Sequence, residues 1–360
     1  MPEDLRLLEA KAIPVTEVIA RLGIARLQKS GCEMIGPCPL CGGRDRFGIN
    51  LRSNAFLCRR CDIRGGDQVA LVQAILGCDF KGALEWLCGS TEVNASERAR
   101  RLAAARRAAE KQARDSERYR QAAIEDARGI WDRAKGASLK EVKAYLAARG
   151  VAPDPWPGTL RALPDHPYVR KFKGEGLVTL HRGPALIAKC DGSDGHGSAV
   201  HQTWIDAARP GKKAVVQRGD EDFPSKMVRG SAKGAAIRLV QGDPGNDTLV
   251  MGEGIETTLS AWAAHSIPGA AFWAGISDVN MCGRRLGRGS AVPDLEDTRA
   301  FVPPSWVRRL VFIQDGDSDP KSTRAKMEAG LRRAMALRPG LVAQLVDPGE
   351  GVDLNDVLMR

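Results

Sequence analysis

The sequence predicts a multidomain α/β protein, on three observations. Four cysteines stand near the front in two close pairs, C-x2-C-x16-C-x2-C from Cys38 to Cys61. A segment from about Glu97, ERARRLAAARRAAEKQARDSERYRQAAIEDAR, contains neither glycine nor proline. From Thr248 onward, short apolar stretches alternate with helix-length segments, the pattern of a parallel sheet covered on both faces. A length of 360 residues accommodates several domains at about 100–200 residues each. No apolar run approaches the ~20 residues of a bilayer span, so a membrane role is not expected. The start, MPEDLRLLEAKAIPV, lacks the basic-then-apolar order of a secretory signal, and a cytoplasmic location is expected. In that compartment closely spaced cysteines bind metal more often than they form disulfides.

Taken in order, IPVTEVIARLGI places Val15, Val18, Ile19 and Leu22 on one helical face. The stretch from Gly31 to Gly66 is rich in Gly, Cys and Arg, with strand-like RFGINL and AFLC. Asp67 is a good N-cap for the helix DQVALVQAIL, and FKGALEWL makes a second short helix. The Ala/Arg/Glu segment consists of strong helix formers and reads as one long, mostly exposed helix, a linker. LKEVKAYLAARG is a helix leading into short strands broken by Gly, Pro and Asp, a mixed α+β unit. Behind it, TLVMG, AAFWAG, RRLVFIQ and LVAQLV read as strands, with IETTLSAWAAH and RAKMEAGLRRAMAL as helices among them. The expected domains are residues 1–91, 92–136, 137–246 and 247–360.

The net charge of +10 is uneven, since residues 1–150 hold 27 Lys/Arg against 19 Asp/Glu and residues 248–360 hold 13 against 14. A basic front and a slightly acidic rear fit a polyanion-binding part joined to a metal-binding part. A solvated basic surface without a partner is the plainer alternative.

In CPLCGGRDRFGINLRSNAFLCRRCD, each C-x2-C turn brings two thiolates to one side of an ion, and the residues between suffice for two returning strands. Cys38, Cys41, Cys58 and Cys61 are thus expected to hold Zn²⁺ in a closed tetrahedron, which supports a fold and performs no chemistry. Arg44, Arg46, Arg59 and Arg60, with Phe47 interleaved, suit a single nucleic-acid strand through phosphate contacts and base stacking. Filling the ribbon's small core is the alternative for its phenylalanines.

At the rear, Glu253 follows the strand TLVMG directly, and VFIQDGDSDP ends in Asp315, Asp317 and Asp319. Like charges so close raise one another's pKa unless water or a cation neutralises them. Ligands of open parallel sheets bind at the carboxyl ends of strands. If these two strands are neighbours, Glu253 and the aspartates converge on one edge, and an all-oxygen set selects Mg²⁺ or Mn²⁺. Ordinary turn chemistry is the competing reading of DGDSDP. In GVDLNDVL, Asp353, Asn355 and Asp356 precede a short helix, with Asn355 or Asp356 as its N-cap and one of the carboxylates as a further ligand of that cation in the alternative.

A ribbon of the form CPxCGGxDRF followed by EGIET and a DxD strand resembles the zinc-ribbon/Toprim (topoisomerase–primase) DNA primases of phages, plasmids and integrated elements. YLAARGV, LRALPDHPY, FPSKMVRGSAKGAAIRL and VDLNDVL look like that family's middle and closing segments. The resemblance implies a C-terminal Toprim domain with Glu253 as catalytic glutamate and Asp315 and Asp317 as Mg²⁺ ligands. Before it would lie a basic subdomain whose Lys213, Lys226, Arg229 and Arg238 grip triphosphate or template phosphates. The implied activity is Mg²⁺-dependent synthesis of short primers, of ribonucleotides, on single-stranded DNA from nucleoside triphosphates. The family's glutamate motif runs E-G-x-x-D, whereas here Thr257 takes the last place and Glu256 precedes it. A Toprim nuclease and a non-catalytic single-stranded-DNA-binding accessory protein are the rival readings. No G-x-x-x-x-G-K-[ST] loop is present, so unwinding is expected from a separate replicative helicase.

Overall fold

The computed structural model describes residues 5–89, 95–136, 139–172, 174–264, 267–286, 290–297, 299–314, 320–349 and 354–359. Asp315, Asp317, Asp319 and Asp353 lie outside the described residues, as does the side chain of Asp356. The chain forms two compact units, Met1–Glu117 and Arg118–Arg360.

The first unit opens with α1 (Leu5–Ala12) and α2 (Val15–Arg21). A five-stranded antiparallel sheet follows in sequence order: β1 (Gln28–Ser30), β2 (Glu33–Cys38), β3 (Gly42–Asn50), β4 (Phe56–Cys58) and β5 (Arg64–Gly65). Then come α3 (Gln68–Leu76), α4 (Phe80–Cys88) and the start of α5 (Ala95–Arg133). The Asp67 carboxylate accepts from the Ala70 amide at 2.9 Å and caps α3, and Gly77 ends that helix in the left-handed region at φ 65°. Val15, Val18 and Ile19 of α2 bury against Val69, Leu71 and Val72 of α3 and Leu84 and Leu87 of α4, in one core that also takes Phe47, Ile49 and Phe56 from the sheet.

In the second unit, α6 (Lys140–Ala147) precedes the long strands β6 (Leu160–Phe172) and β7 (Gly176–Asp191), β8 (Gly197–Trp204), the β9–β10 hairpin (Val216–Arg218, Glu221–Phe223) and β11 (Lys226–Gly230). Strands β11-β8-β7-β6 pair antiparallel in that order. Alternation along β7 decides what covers each face. Ala185 and Ile187 pack with Ala127 and Ile130 of α5, whereas Leu186 and Ala188 pack with Val142, Tyr145 and Leu146 of α6.

The last sheet has the order β12-β14-β13-β15-β16: Ile237–Val240, Ala271–Ala274, Thr248–Gly252, Arg309–Ile313 and Val342–Val346. Only the edge strand β12 runs antiparallel to its neighbour. Helix α7 (Ile255–Ala263) connects β13 to β14, α8 (Asp278–Cys282) follows β14, α9 (Pro320–Leu337) connects β15 to β16, and α10 (Leu354–Met359) closes the chain. Leu249, Met251, Leu310 and Phe312 face α8 and α9, and Val250, Val311 and Ile313 face α7 and α10. Burial on both faces explains why these strands read as continuous apolar runs. Among the described residues no helix is long and apolar enough to cross a membrane.

Candidate functional site

In the front unit Cys38 ends β2 and Cys58 ends β4, and each is followed by a tight turn that carries the second cysteine of its pair. Gly42 and Gly43 make the first turn possible with φ of 66° and 92°, a region other residues enter only under strain. The sulfurs of Cys38 and Cys61 stand 3.6 Å apart, those of Cys41 and Cys58 3.5 Å, and all four lie within 4.8 Å of one another. A tetrahedron with Zn–S of about 2.3 Å has edges of about 3.8 Å, so this donor set fits Zn²⁺. Burial opposes ionisation of Cys58, yet backbone amides aimed at its sulfur, Arg60 N–H at 3.4 Å among them, bring the thiol down to about 6. Such donors favour the thiolate a metal requires.

Around this knuckle Arg44, Arg59 and Arg60 are exposed and Arg46 is half-buried. Phe47 is corrected by the structure. It is 0% exposed, with its ring 6.1 Å from that of the buried Phe56, so it fills the ribbon's core and offers no face to a base. The residue alternates with Gly48 along β3, and its register opposite Cys58 points it inward.

At the rear, β13 and β15 are adjacent and parallel, with Gly252 level with Ile313. Glu253 and Gln314 therefore leave the sheet side by side. The helix after β13 lies on one face of the sheet and the helix after β15 on the other. A reversal of that kind opens a crevice at the carboxyl edge, the place where open α/β sheets bind ligands. The turn at Glu253 is held tightly. Thr258 Oγ1 donates to the Gly254 carbonyl at 2.7 Å and accepts from the Gly252 amide at 3.2 Å. A Cβ on Gly252 would meet Thr258 Oγ1 at 2.9 Å, which is why the strand ends in glycine.

Beside this turn sits a polar cluster that the sequence did not disclose. Glu256, in the first turn of α7, is 7% exposed. Tyr145 of α6 donates its hydroxyl to Glu256 Oε1 at 2.6 Å, and Lys213 Nζ stands 3.2 Å from the same oxygen. Lys226, the first residue of β11, places Nζ 3.6 Å from Oε2. Burial would push the carboxyl up, but Lys226 and Lys213 outweigh it and hold it below the usual carboxylate range. Burial and the adjacent carboxylate push the Tyr145 phenol up, so it stays a donor. His201 on β8 lies nearby, and burial together with Lys226 brings its imidazole down to about 4.

Of the predicted basic residues, the structure thus brings Lys213 and Lys226 together. Arg229 is exposed, with Nη2 3.4 Å from the Val169 carbonyl. The Arg238 guanidinium lies 4.7 Å from the centre of the Trp273 ring and 3.9 Å from Asp191, which ties it into the fold. Glu256 had two signals in the sequence, as the one charged residue of an otherwise uncharged helix and as the acid preceding Thr257, which takes the place of the motif's Asp. Tyr145 and His201 had none.

A family model described as a domain of unknown function, DUF7146, matches residues 121–239. No curated protein matches the chain. Solved structures similar to it are DnaG-type and phage primases. The zinc-binding and RNA polymerase domains of the Aquifex aeolicus primase align at 14% identity over 100% of this chain and 82% of that one, with a TM-score of 0.37. A DnaG primase catalytic domain bound to single-stranded DNA aligns at 12% identity over 67% and 77%, with a TM-score of 0.40. The primase fragment of the bacteriophage T7 primase-helicase aligns at 12% identity over 90% and 93%, with a TM-score of 0.30.

Proposed function

We propose that this chain is a DNA primase of the zinc-ribbon/Toprim type, serving replication of a mobile element or phage. It would join nucleotides into short primers on a single-stranded DNA template. The observation that carries the reading is the pairing of β13 with β15, which sets Glu253 beside Gln314, the residue that precedes DGDSDP in the sequence. A divalent cation, Mg²⁺ or Mn²⁺, held by Glu253, Asp315 and Asp317 would neutralise charge on the transferring phosphoryl group and lower the pKa of the attacking hydroxyl. Asp319, Asp353 and Asp356 are further candidates for that ligand set. Glu253 would serve as ligand or as the base that takes the 3′-hydroxyl proton. Lys213 and Lys226 would receive the triphosphate as it enters. The ribbon's Arg44, Arg46, Arg59 and Arg60 would follow template phosphates, and a replicative helicase would act in trans.

The test offers single-stranded templates of varied sequence with labelled nucleoside triphosphates and Mg²⁺ or Mn²⁺. Short template-dependent products are expected. Asp315→Ala and Glu253→Gln should each lower their yield by about a hundredfold or more, the scale of losing charge stabilisation in a transition state. Cleavage of the labelled strand without synthesis would make the protein a nuclease. Full activity of Asp315→Ala would overturn the reading.

A further inference from the structure

We infer that Glu256 is a positioning residue which, with Tyr145, holds Lys213 and Lys226 side by side as an anion clamp next to Glu253, and that it is not a ligand of the cation. This rests on the polymerase reading above. Both acids of EGIET lie close to the crevice, and sequence spacing alone leaves their roles interchangeable. The contacts separate them. A carboxylate offers about four lone-pair positions. Those of Glu256 meet three donors from three separate segments: the Tyr145 hydroxyl from α6, the Lys213 ammonium ahead of β9 and the Lys226 ammonium from β11. A cation at Glu256 would have to displace an ammonium group from a nearly buried oxygen.

The layering of charge points to what the cluster receives. The Glu256 side chain is 9% exposed, whereas those of Lys213 and Lys226 are 28% and 36% exposed. The negative group is therefore sunk beneath two positive ends that reach solvent, and the three together carry a surplus of one positive charge. Beneath them His201 is neutral at ordinary pH and adds none. Lys226 Nζ lies 3.9 Å from where a Cβ on Gly254 would stand, so the ammonium sits against the turn that follows Glu253. Two ammonium groups converging on a strand end, beside a candidate cation site, match a polyphosphate whose other oxygens meet the cation. Without an anion, two close lysines repel. Glu256 offsets that repulsion and fixes both side chains before the ligand arrives, which removes an ordering cost from binding.

The experiment uses the full zinc-loaded chain with inorganic tripolyphosphate as probe, titrated by calorimetry without divalent cation, in wild type, Glu256→Gln, Lys226→Ala and the double variant. Glu256→Gln and Lys226→Ala should each weaken tripolyphosphate about tenfold. The double variant should be little worse than either, because Glu256 acts through the lysine. Additive losses, or a Glu256→Gln protein that binds as tightly as wild type or tighter, would overturn the inference. Tyr145→Phe keeps the carboxylate and should weaken the probe two- to threefold, so the clamp stays testable should Glu256→Gln fail to fold. With primer synthesis as readout, Glu256→Gln should raise the KM for nucleoside triphosphate and leave unchanged both the KM for template and the Mg²⁺ concentration at half-activity. Glu253→Gln should shift the Mg²⁺ requirement. Non-additive tripolyphosphate binding in a wild type that makes no primers would uphold the clamp and overturn the polymerase reading alone.

Discussion

The two pairs of cysteines that approach most closely across the ribbon stand 23 and 17 positions apart in the chain, whereas the hydroxyl and the carboxylate that meet at Glu256 are separated by 111. The front unit gathers its polar centre from one short stretch. The rear unit gathers Tyr145, His201, Lys213, Lys226 and Glu256 from five elements or loops that a finished core must first bring together. The difference sets what each centre depends on. Besides Cys38 and Cys58, the ribbon's strands give only Phe47, Ile49 and Phe56 as buried apolar side chains to the core shared with α2, α3 and α4, so the ribbon's fold is coupled to its ligands through the metal. The rear cluster hangs on two sheets and their covering helices, and its charges cost stability that those cores supply.

Zinc removal is the largest way to break that contrast. A structural Zn²⁺ site binds with an apparent free energy on the order of 10 kcal/mol, and in small metal-held modules this is folding free energy. Chelation, or Cys58→Ser, should open the ribbon. Amide hydrogen exchange should quicken across β2, β3 and β4 while β13 and β15 keep their protection. Equal loss of protection in both places would erase the distinction between a metal-held front and a core-held rear.

Acid sharpens the comparison from the other side. His201 moves from 6.5 in the unfolded chain to about 4 in the fold, because burial and Lys226 oppose its protonation. Between those values the unfolded chain binds a proton that the native state refuses. Stability from this group is therefore complete above about pH 6.5 and is lost as pH falls toward 4. A difference of that size corresponds to about 3 kcal/mol. Glu256 is held below its ordinary range, so it stays ionised through this window and does not mask the effect. The urea midpoint of wild type should fall more steeply between pH 7 and 4.5 than that of His201→Gln. Parallel curves would show that the imidazole is not confined among the lysines.

What the sequence disclosed follows the same division. The cysteine cluster, the Asp67 cap, the extent of the long helix and the rear strands all rest on spacing or periodicity within a few residues, and each stands where those patterns put it. The expected exposed linker is corrected at the helix's last turns, where Ala127 and Ile130 are buried against β7. The adjacency of β13 and β15 was conditional in the sequence, since strand order is not written in any one strand, and the sheet supplies it. Phe47 was misread because an aromatic beside arginines looks the same whether it faces water or the core, and only its pairing opposite Cys58 decides. The partners of Glu256 were out of reach for a different reason. A buried carboxylate announces that it needs counterions, but three donors on three separate segments have no common period to betray them.

The smallest effect tests whether a local polar contact behaves as local. Asp67 caps α3 through the Ala70 amide and also stands 3.2 Å from Lys11 Nζ, an ion pair whose side chains are 47% and 30% exposed. These two roles have different worth. A lost N-cap costs about 1 kcal/mol, whereas an exposed ion pair contributes little because solvent screens it and both side chains give up freedom to form it. Asp67→Ala, which removes both, should therefore destabilise α3 by about 1 kcal/mol. Asp67→Asn keeps an oxygen for the amide and discards the charge, and should stay within a few tenths of wild type. Hydrogen exchange of the α3 amides reads the difference directly. If Asp67→Asn proved as damaging as Asp67→Ala, charge rather than the cap would hold this helix, and the exposed pair with Lys11 would be worth more than solvent screening allows.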